Sequence, residues 1–373
     1  MFKKILKIIV CLLMFMTLMI TNNLVKAEVA LANNSKSACL LEPSTLGVLY
    51  EKNASTRLFP ASMTKIMSIK VILDHYAKGS FTMDDMVTTS NYASSMGGSQ
   101  IFLSVGEKMC VSDLLKSLII ASANDACVAL AEFVSGTEAA FVDLMNKEAI
   151  NLGLKNTHFA NCTGLPINNH YTSAYDMAVI ASHLLNLYGD IVLPISSRYE
   201  DFVREGTTKQ FWLVNTNKLV RYIEGIDGLK TGWTVEAGYC LTATMKKDGM
   251  RLIAVSMGCE TPQKRNSDIV ELLNYGMSNY EIVNLFKKGD IVKELENINT
   301  NPNIYHLVVG KDVNLLKKKS EVLGKVTSEV VDNKMRVYLD NELYQEVDLV
   351  VSEKLEKSSF LEIFFNLIKQ MFG

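Results

Sequence analysis

The rhythm of apolar and polar positions changes several times along the chain, and each change marks an element. Residues 8–20 are a continuous apolar run behind Lys3, Lys4 and Lys7. Residues 38–41 and 47–50 are short β-type runs separated by Glu42-Pro43-Ser44-Thr45, which predicts a hairpin. From Pro60 the rhythm turns helical, because proline is tolerated in a first helical turn where its missing N–H is not needed. Ile66, Ile69, Val71, Ile72 and Leu73 then make that helix apolar on several sides, as a buried helix is. Residues 90–98 are small and read as a loop. Leu114, Leu115, Leu118 and Ile119 recur at three and four, predicting a helix from Ser112 behind a serine cap. A second helix runs through Val128, Leu130, Ala131 and Phe133, so Ser122 and Asn124 fall at the junction of two buried helices, either as chemistry or simply as caps. A helical stretch at 139–152 leads into the turn-rich segment 157–166, and Thr172-Ser173 opens another capped helix.

The second half is richer in strands. Residues 221–257 are the most β-like region, and the Asp248-Gly249 pair between two apolar runs is a strong hairpin signal. That places Lys230 and Thr231 on or beside a strand of an antiparallel sheet, with Gly228 and Gly232 permitting close approach. A helix at 267–280 closes this region. Beyond it, alternating runs at 304–309, 321–326, 335–339 and 347–351, with turns at Asp332-Asn333 and Asp340-Asn341, predict a small all-β unit. Residues 354–373 are amphipathic: Phe360, Leu361, Phe364, Phe365, Leu367, Ile368 and Phe372 are apolar, while Glu362, Asn366, Lys369 and Gln370 share one side. Such a helix suits a membrane surface, the alternative being a terminal helix packed on the β unit.

Charge and composition narrow the picture. The basic start, the apolar run and Val25-Lys26-Ala27 before Glu28 have the three parts of an export signal, residues 1–27, with an uncleaved anchor as the alternative. A net charge of −2, with no basic stripe carrying interleaved aromatics, argues against a nucleic-acid partner. Cys39, Cys110, Cys127, Cys162, Cys240 and Cys259 follow the leader at irregular spacings without a C-x-x-C pair, which suggests neither zinc nor a redox pair. Disulfides are permitted in an exported chain, but Cys127 and Cys240 sit in apolar runs and read as buried thiols. The five histidines are scattered without metal-ligand spacing. No metal or cofactor is expected.

Three short strings carry chemistry. Ser62-x-x-Lys65 puts a hydroxyl and an amine on one face of the helix start, a nucleophile beside a base. The helix N-terminus there favours a developing alkoxide and disfavours the ammonium. Ser122-x-Asn124 and Lys230-Thr231-Gly232 follow in order, and each string alone is weak. S-x-x-K, S-x-N and K-T-G together on an exported chain resemble the penicillin-recognising serine enzymes. The longer strings at 60–65, 121–126, 158–165, 174–178 and 227–233 are similar to the D-alanyl-D-alanine carboxypeptidases, the low-molecular-mass penicillin-binding proteins, over residues 37–275. Ala123 stands where some relatives of this class carry Asp. The 158–175 loop holds no Glu or Asp, which disfavours a β-lactamase, whose deacylation relies on a glutamate.

The resemblance implies an α+β fold of the serine β-lactamase and penicillin-binding-protein type, an antiparallel sheet flanked by helices, over residues 28–280. A small all-β domain would follow at 281–352 and an amphipathic membrane-anchoring helix at 353–373. It implies that Ser62 attacks the carbonyl between two terminal D-alanines of a peptidoglycan stem peptide, with Lys65 taking its proton and Ser122 relaying it to the leaving amine. Asn124 would bind the substrate amide; Lys230, Thr231 and Gly232 would face the terminal carboxylate; and the backbone N–H groups of Ser62 and Trp233 would hold the oxyanion. β-Lactams would acylate the same serine, and the enzyme would work on the outer face of the cytoplasmic membrane. Endopeptidase, transpeptidase or esterase chemistry on the same residues, or a silent wall-binding protein, are the alternatives.

Overall fold

The computed structural model describes residues 30–297 and 299–372. The leader at 1–27 lies outside the described residues.

The chain runs β1 (Ser37–Glu42), β2 (Gly47–Lys52), a 3₁₀ turn (Ala61–Thr64), α1 (Lys65–Ala77), β3 (Met86–Thr88), α2 (Asn91–Ser94), β4 (Lys108–Cys110), α3 (Val111–Ile120), α4 (Asn124–Ser135), α5 (Glu138–Asn151) and α6 (Ala174–Ser196). It continues through β5 (Glu200–Val203), β6 (Phe211–Val214), α7 (Leu219–Tyr222), β7 (Ile226–Thr234), β8 (Gly238–Lys247), β9 (Met250–Cys259) and α8 (Pro262–Asn279). The rest is β10 (Tyr280–Phe286), β11 (Ile291–Glu296), β12 (Thr300–Asn301), β13 (Ile304–Val309), β14 (Val313–Lys318), β15 (Val326–Val331), β16 (Lys334–Leu339), β17 (Glu342–Val351), β18 (Glu356–Lys357) and α9 (Phe360–Phe372).

The central sheet has the order β2-β1-β9-β8-β7, antiparallel throughout. Its inner strands β1, β9 and β8 are buried on both faces, and period-two alternation decides which side chain goes where. Ala38, Leu40, Leu252 and Ala254 pack against Ile269, Leu272 and Leu273 of α8. Cys39, Leu41, Ile253, Val255 and Met257 point the other way, into a larger core with α1, α3, α4, α5 and α6. The β8–β9 turn has Asp248 at φ +50 and Gly249 at φ +80, the pair of left-handed residues a tight hairpin turn requires. Beyond α8, β11-β13-β17-β16-β15 form a second sheet around Val309, Val313, Met335, Val337 and Val347, a separate cluster.

Several expectations need correction. The strand expected at 321–326 is an exposed loop pinned at its ends, where Lys317 Nζ donates to the Glu321 carbonyl and Lys325 N to Asp340 Oδ1, and β15 begins only at Val326. The helix expected behind a serine cap at Ser112 starts one residue earlier, with Cys110 at the N-cap and no side-chain cap bond. Within the expected 90–98 loop, Ser90 caps the single turn α2 by accepting from Ala93 N. Residues 221–225 are not strand; α7 and a turn precede β7. The helix expected from 267 starts at Pro262, capped by Thr261.

Candidate active site

Ser62 sits in the 3₁₀ turn ahead of α1, and its Oγ lies 3.0 Å from Nζ of Lys65, the first residue of α1. One turn of helix is enough to bring the two together. Lys65 is wholly buried, and burial lowers its pKa to about 8, which populates the neutral amine that can accept a proton. Its other hydrogen bond goes to the Thr163 carbonyl at 2.7 Å, in the long loop before α6.

That loop is held against the Ser62 turn by shape and by one histidine. Gly164 has φ +88, and a Cβ there would lie 1.9 Å from the Ala61 carbonyl oxygen, so only glycine fits. His170 Nδ1 accepts from Ala160 N at 3.0 Å, which leaves the proton on Nε2 to donate to Thr64 Oγ1 at 2.8 Å. Burial lowers the His170 pKa to about 4.

Ser122 and Asn124 join α3 to α4. Ser122 has φ +62, and its Oγ is buried with no hydrogen-bond partner; the Asn124 side-chain oxygen is likewise buried and unpartnered. Neither caps α4, whose N-cap is Ala123 without a side-chain bond. Asn124 instead holds the next loop, donating from Nδ2 to Gly97 O and from its backbone N to Ser99 O, each at 2.7 Å. Two buried oxygens left open, one of them on Ser122 in the cavity wall that also holds Ser62, call for donors that a ligand would bring.

The third string lies on β7, at the edge of the sheet. Gly232 is there because a Cβ would meet Pro60 O at 2.8 Å and Ser62 N at 3.1 Å; the strand packs directly on the nucleophile's turn. Lys230 is buried, and its pKa is pushed well down by burial and then by the neighbouring Lys65 and Arg265 cations. Thr231 Oγ1 donates to Thr216 Oγ1 at 2.7 Å. Trp233 is more than half exposed, its ring 5.8 Å from that of Tyr239.

Ser62, Ser122, Thr231, Gly232 and Trp233 line one cavity of about 440 Å³, with Ser99, Lys218, Tyr239 and Arg265 among its walls. A hollow of about 720 Å³ beside residues 50–56 is larger but contains none of the three strings. Arg265 was not legible as a site residue. It is the fourth residue of α8, buried, held by Asn266 Oδ1 at 2.8 Å, and among the described residues it has no carboxylate partner. Burial lowers its pKa too. Asp125 was also missed; it accepts from the backbone N–H groups of Ile101, Leu103 and Ala126 and so shapes the wall that contains Ser99.

The sequence profile of the peptidase S11 family, D-alanyl-D-alanine carboxypeptidase, matches residues 23–261. The D-alanyl-D-alanine carboxypeptidase DacF of Bacillus subtilis is 48% identical over 300 residues, 80% of this chain and 77% of that protein. Penicillin binding protein 5 from Haemophilus influenzae superposes with a TM-score of 0.72 at 29% identity, covering 89% of this chain and 99% of the other. Penicillin-Binding Protein D2 from Listeria monocytogenes, in its ampicillin-bound form, superposes with a TM-score of 0.59 at 28% identity over 67% of this chain and 99% of that one. The profile spans well over half of the sequence, and the chain belongs to the D-alanyl-D-alanine carboxypeptidases of family S11, which are serine hydrolases.

Proposed function

We propose that the carboxypeptidase reaction runs through an acyl-enzyme on Ser62. Lys65 takes the Ser62 proton as Oγ attacks the carbonyl of the penultimate D-alanine, and the oxyanion is held by the backbone N–H groups of Ser62 and Trp233. The C–N bond breaks, and Ser122 passes a proton to the leaving amine, so that free D-alanine departs. Water then cleaves the ester, releasing the shortened stem peptide and restoring the Ser62 hydroxyl. Asn124 binds the substrate amide, with its open oxygen accepting the amide N–H. Lys230, Thr231 and Arg265 receive the terminal carboxylate, which brings a negative charge to the desolvated lysine and arginine.

The observation that carries this reading is the 3.0 Å approach of Ser62 Oγ to the buried Lys65 amine, with Ser62 and Ser122 lining one cavity and the Ser122 hydroxyl left without a partner. β-Lactams present a carboxylate and a strained amide to the same groups and acylate Ser62, the opened ring keeping the leaving group tethered. The test is intact mass and peptide mapping before and after benzylpenicillin, alongside D-alanine release from a peptide ending in D-Ala-D-Ala. An adduct on Ser62 with release is the expected result; no adduct on folded protein overturns the nucleophile.

We further propose that residues 28–280 form the catalytic unit and 281–352 a spacer, with 353–373 seating the exported protein on the outer face of the cytoplasmic membrane. In α9 the polar side meets the β unit, Glu362 accepting from Asn301 Nδ2 and Gln370 donating to Glu296 Oε1. Phe360, Leu361, Phe365 and Met371 are left exposed. An apolar stripe with its polar side already docked suits insertion into a lipid headgroup layer. Deleting 354–373 is expected to release the protein from vesicles with D-alanine release intact; loss of activity in solution would count against an anchor.

A further inference from the structure

The loop at 97–105 forms one wall of the cavity through Ser99, yet its most prominent side chain faces out of it. Phe102 has φ +57 and is 69% exposed. A bulky residue in the left-handed region is a genuine outlier, and exposing a phenyl ring adds a second cost. Both persist because the surroundings over-determine the loop. The buried Asp125 carboxylate accepts from Ile101 N at 3.1 Å and Leu103 N at 3.0 Å, one on each side of Phe102. Arg204 donates to Ile101 O at 2.9 Å, and Ser94 Oγ to Leu103 O at 2.8 Å. Asn124 binds Gly97 O and Ser99 O. Among the described residues the ring's one aromatic neighbour is Phe211 of β6, edge-on at 5.9 Å, and Val105 of the same loop is 60% exposed. Strain held this firmly next to a reaction site points to use.

The carbonyls of Gly97, Ser99, Ile101 and Leu103, and the N–H groups on either side of Phe102, are consumed internally, which fixes the loop's shape before anything docks. Its exposed apolar side chains are Phe102 and Val105. That suits the C–H face of a pyranose ring, which packs on aromatic faces without needing backbone partners. The stem peptide taken up at Ser62 is carried on such a sugar, and the loop is continuous with the cavity wall.

We propose that Phe102 is a contact for an amino-sugar ring of the glycan bearing the stem peptide, so that the enzyme favours sugar-linked over free peptides. This rests on the carboxypeptidase reading above. Phe102 does not line the cavity, and D-alanine release from a short free peptide serves as the internal control.

The test uses the full chain and Phe102→Gly, which removes the ring while relieving the left-handed backbone. D-alanine release is followed from a free peptide ending in D-Ala-D-Ala and from the same peptide on an N-acetylglucosaminyl-N-acetylmuramyl disaccharide. The expected result is a roughly fivefold to tenfold fall in kcat/KM for the disaccharide substrate, mostly in KM, with the free peptide unchanged and Phe102→Trp retaining the preference. An equal fall on both substrates would mean that the ring only braces the loop and would overturn the proposal, as would no fall on either. If the unaltered chain released D-alanine from neither substrate, the carboxypeptidase reading would fail and this inference with it; release with no disaccharide preference sinks this inference alone.

Discussion

The Thr163 carbonyl oxygen lies 2.7 Å from Nζ of Lys65, on an amine whose other partner, the Ser62 hydroxyl, is 3.0 Å away. A neutral amine has two protons and one lone pair. Donating one proton to a fixed backbone oxygen restricts rotation about the last side-chain bond and keeps the lone pair available to the serine. The loop that contributes Thr163 is therefore a part of the base, although it shares no element with it.

The pH dependence of acylation follows from that base. Burial brings the Lys65 pKa down from 10.5 to about 8, so the amine is mostly charged below that value and mostly neutral above it. Acylation by benzylpenicillin should rise about tenfold per pH unit on the acid side and level off above about 8. Lys65→Met should lose that limb and slow acylation by roughly 10²–10⁴-fold, with folding retained because a buried amine is replaced by an apolar chain of similar length. A profile with no limb near 8, followed by adduct mass against time, would show that another group takes the proton.

Gly164 offers a test of the loop's seating. Gly164→Ala must move the Cβ away from a backbone oxygen at 1.9 Å and also carry φ +88. The expected cost is roughly 3 kcal/mol in urea unfolding, with at least about a tenfold loss of D-alanine release as Thr163 shifts from Lys65. Gly106→Ala is the control: its φ is +74, but nothing lies within 4 Å, so it should cost only about 1–2 kcal/mol and leave activity alone.

The helix start at Pro60, the junction at Ser122 and the hairpin at Asp248-Gly249 were legible because each is written locally: a proline, a short polar break between apolar helices, a turn pair. Their convergence came from the order of the three strings, which spacing alone does not encode. Arg265 was not legible, since a lone arginine at the start of a helix looks like any solvated charge until β8 and the cavity bury it. The hairpin β5–β6 escaped for a related reason. Glu200 and Asp201 begin β5, and seven polar or small residues separate it from β6, so neither strand shows a clean alternation; the pairing of Val203 with Phe211 is fixed by the core below it. The false strand at 321–326 had the right composition but no partner strand over 321–325, its ends at Glu321 and Lys325 being held instead by Lys317, Lys318 and Asp340.

His170 should make stability depend on pH in a defined window. The unfolded imidazole takes up a proton near 6.5 and the buried one only at about 4. Between those values the unfolded chain binds more protons, so stability falls as the pH drops through the window, by roughly 3 kcal/mol at most, and the loss is complete below about 4. His170→Gln should cost roughly 1–3 kcal/mol at neutral pH by weakening the Thr64 and Ala160 bonds. The gap between wild type and variant in urea unfolding should then narrow as the pH approaches 4, other groups cancelling in the comparison. A constant gap would mean that His170 is charged in the native protein.

Arg265 separates binding from chemistry. Its guanidinium is buried in the cavity wall with, among the described residues, only Asn266 Oδ1 and, at 3.5 Å, the Cys240 carbonyl as acceptors, so a carboxylate entering beside Lys230 meets two desolvated basic groups. Arg265→Met removes one of them without touching Ser62 or Lys65. KM for a peptide ending in free D-Ala-D-Ala should rise roughly 10- to 100-fold, the worth of a hydrogen bond to a charged group in a dry site, while kcat changes by less than about threefold. Against a peptide whose C-terminus is amidated, wild type and variant should differ little, because the lost partner has no charge to meet. A matching loss on both peptides would assign Arg265 to the architecture of α8 and the cavity wall and leave Lys230 and Thr231 as the groups that meet the carboxylate.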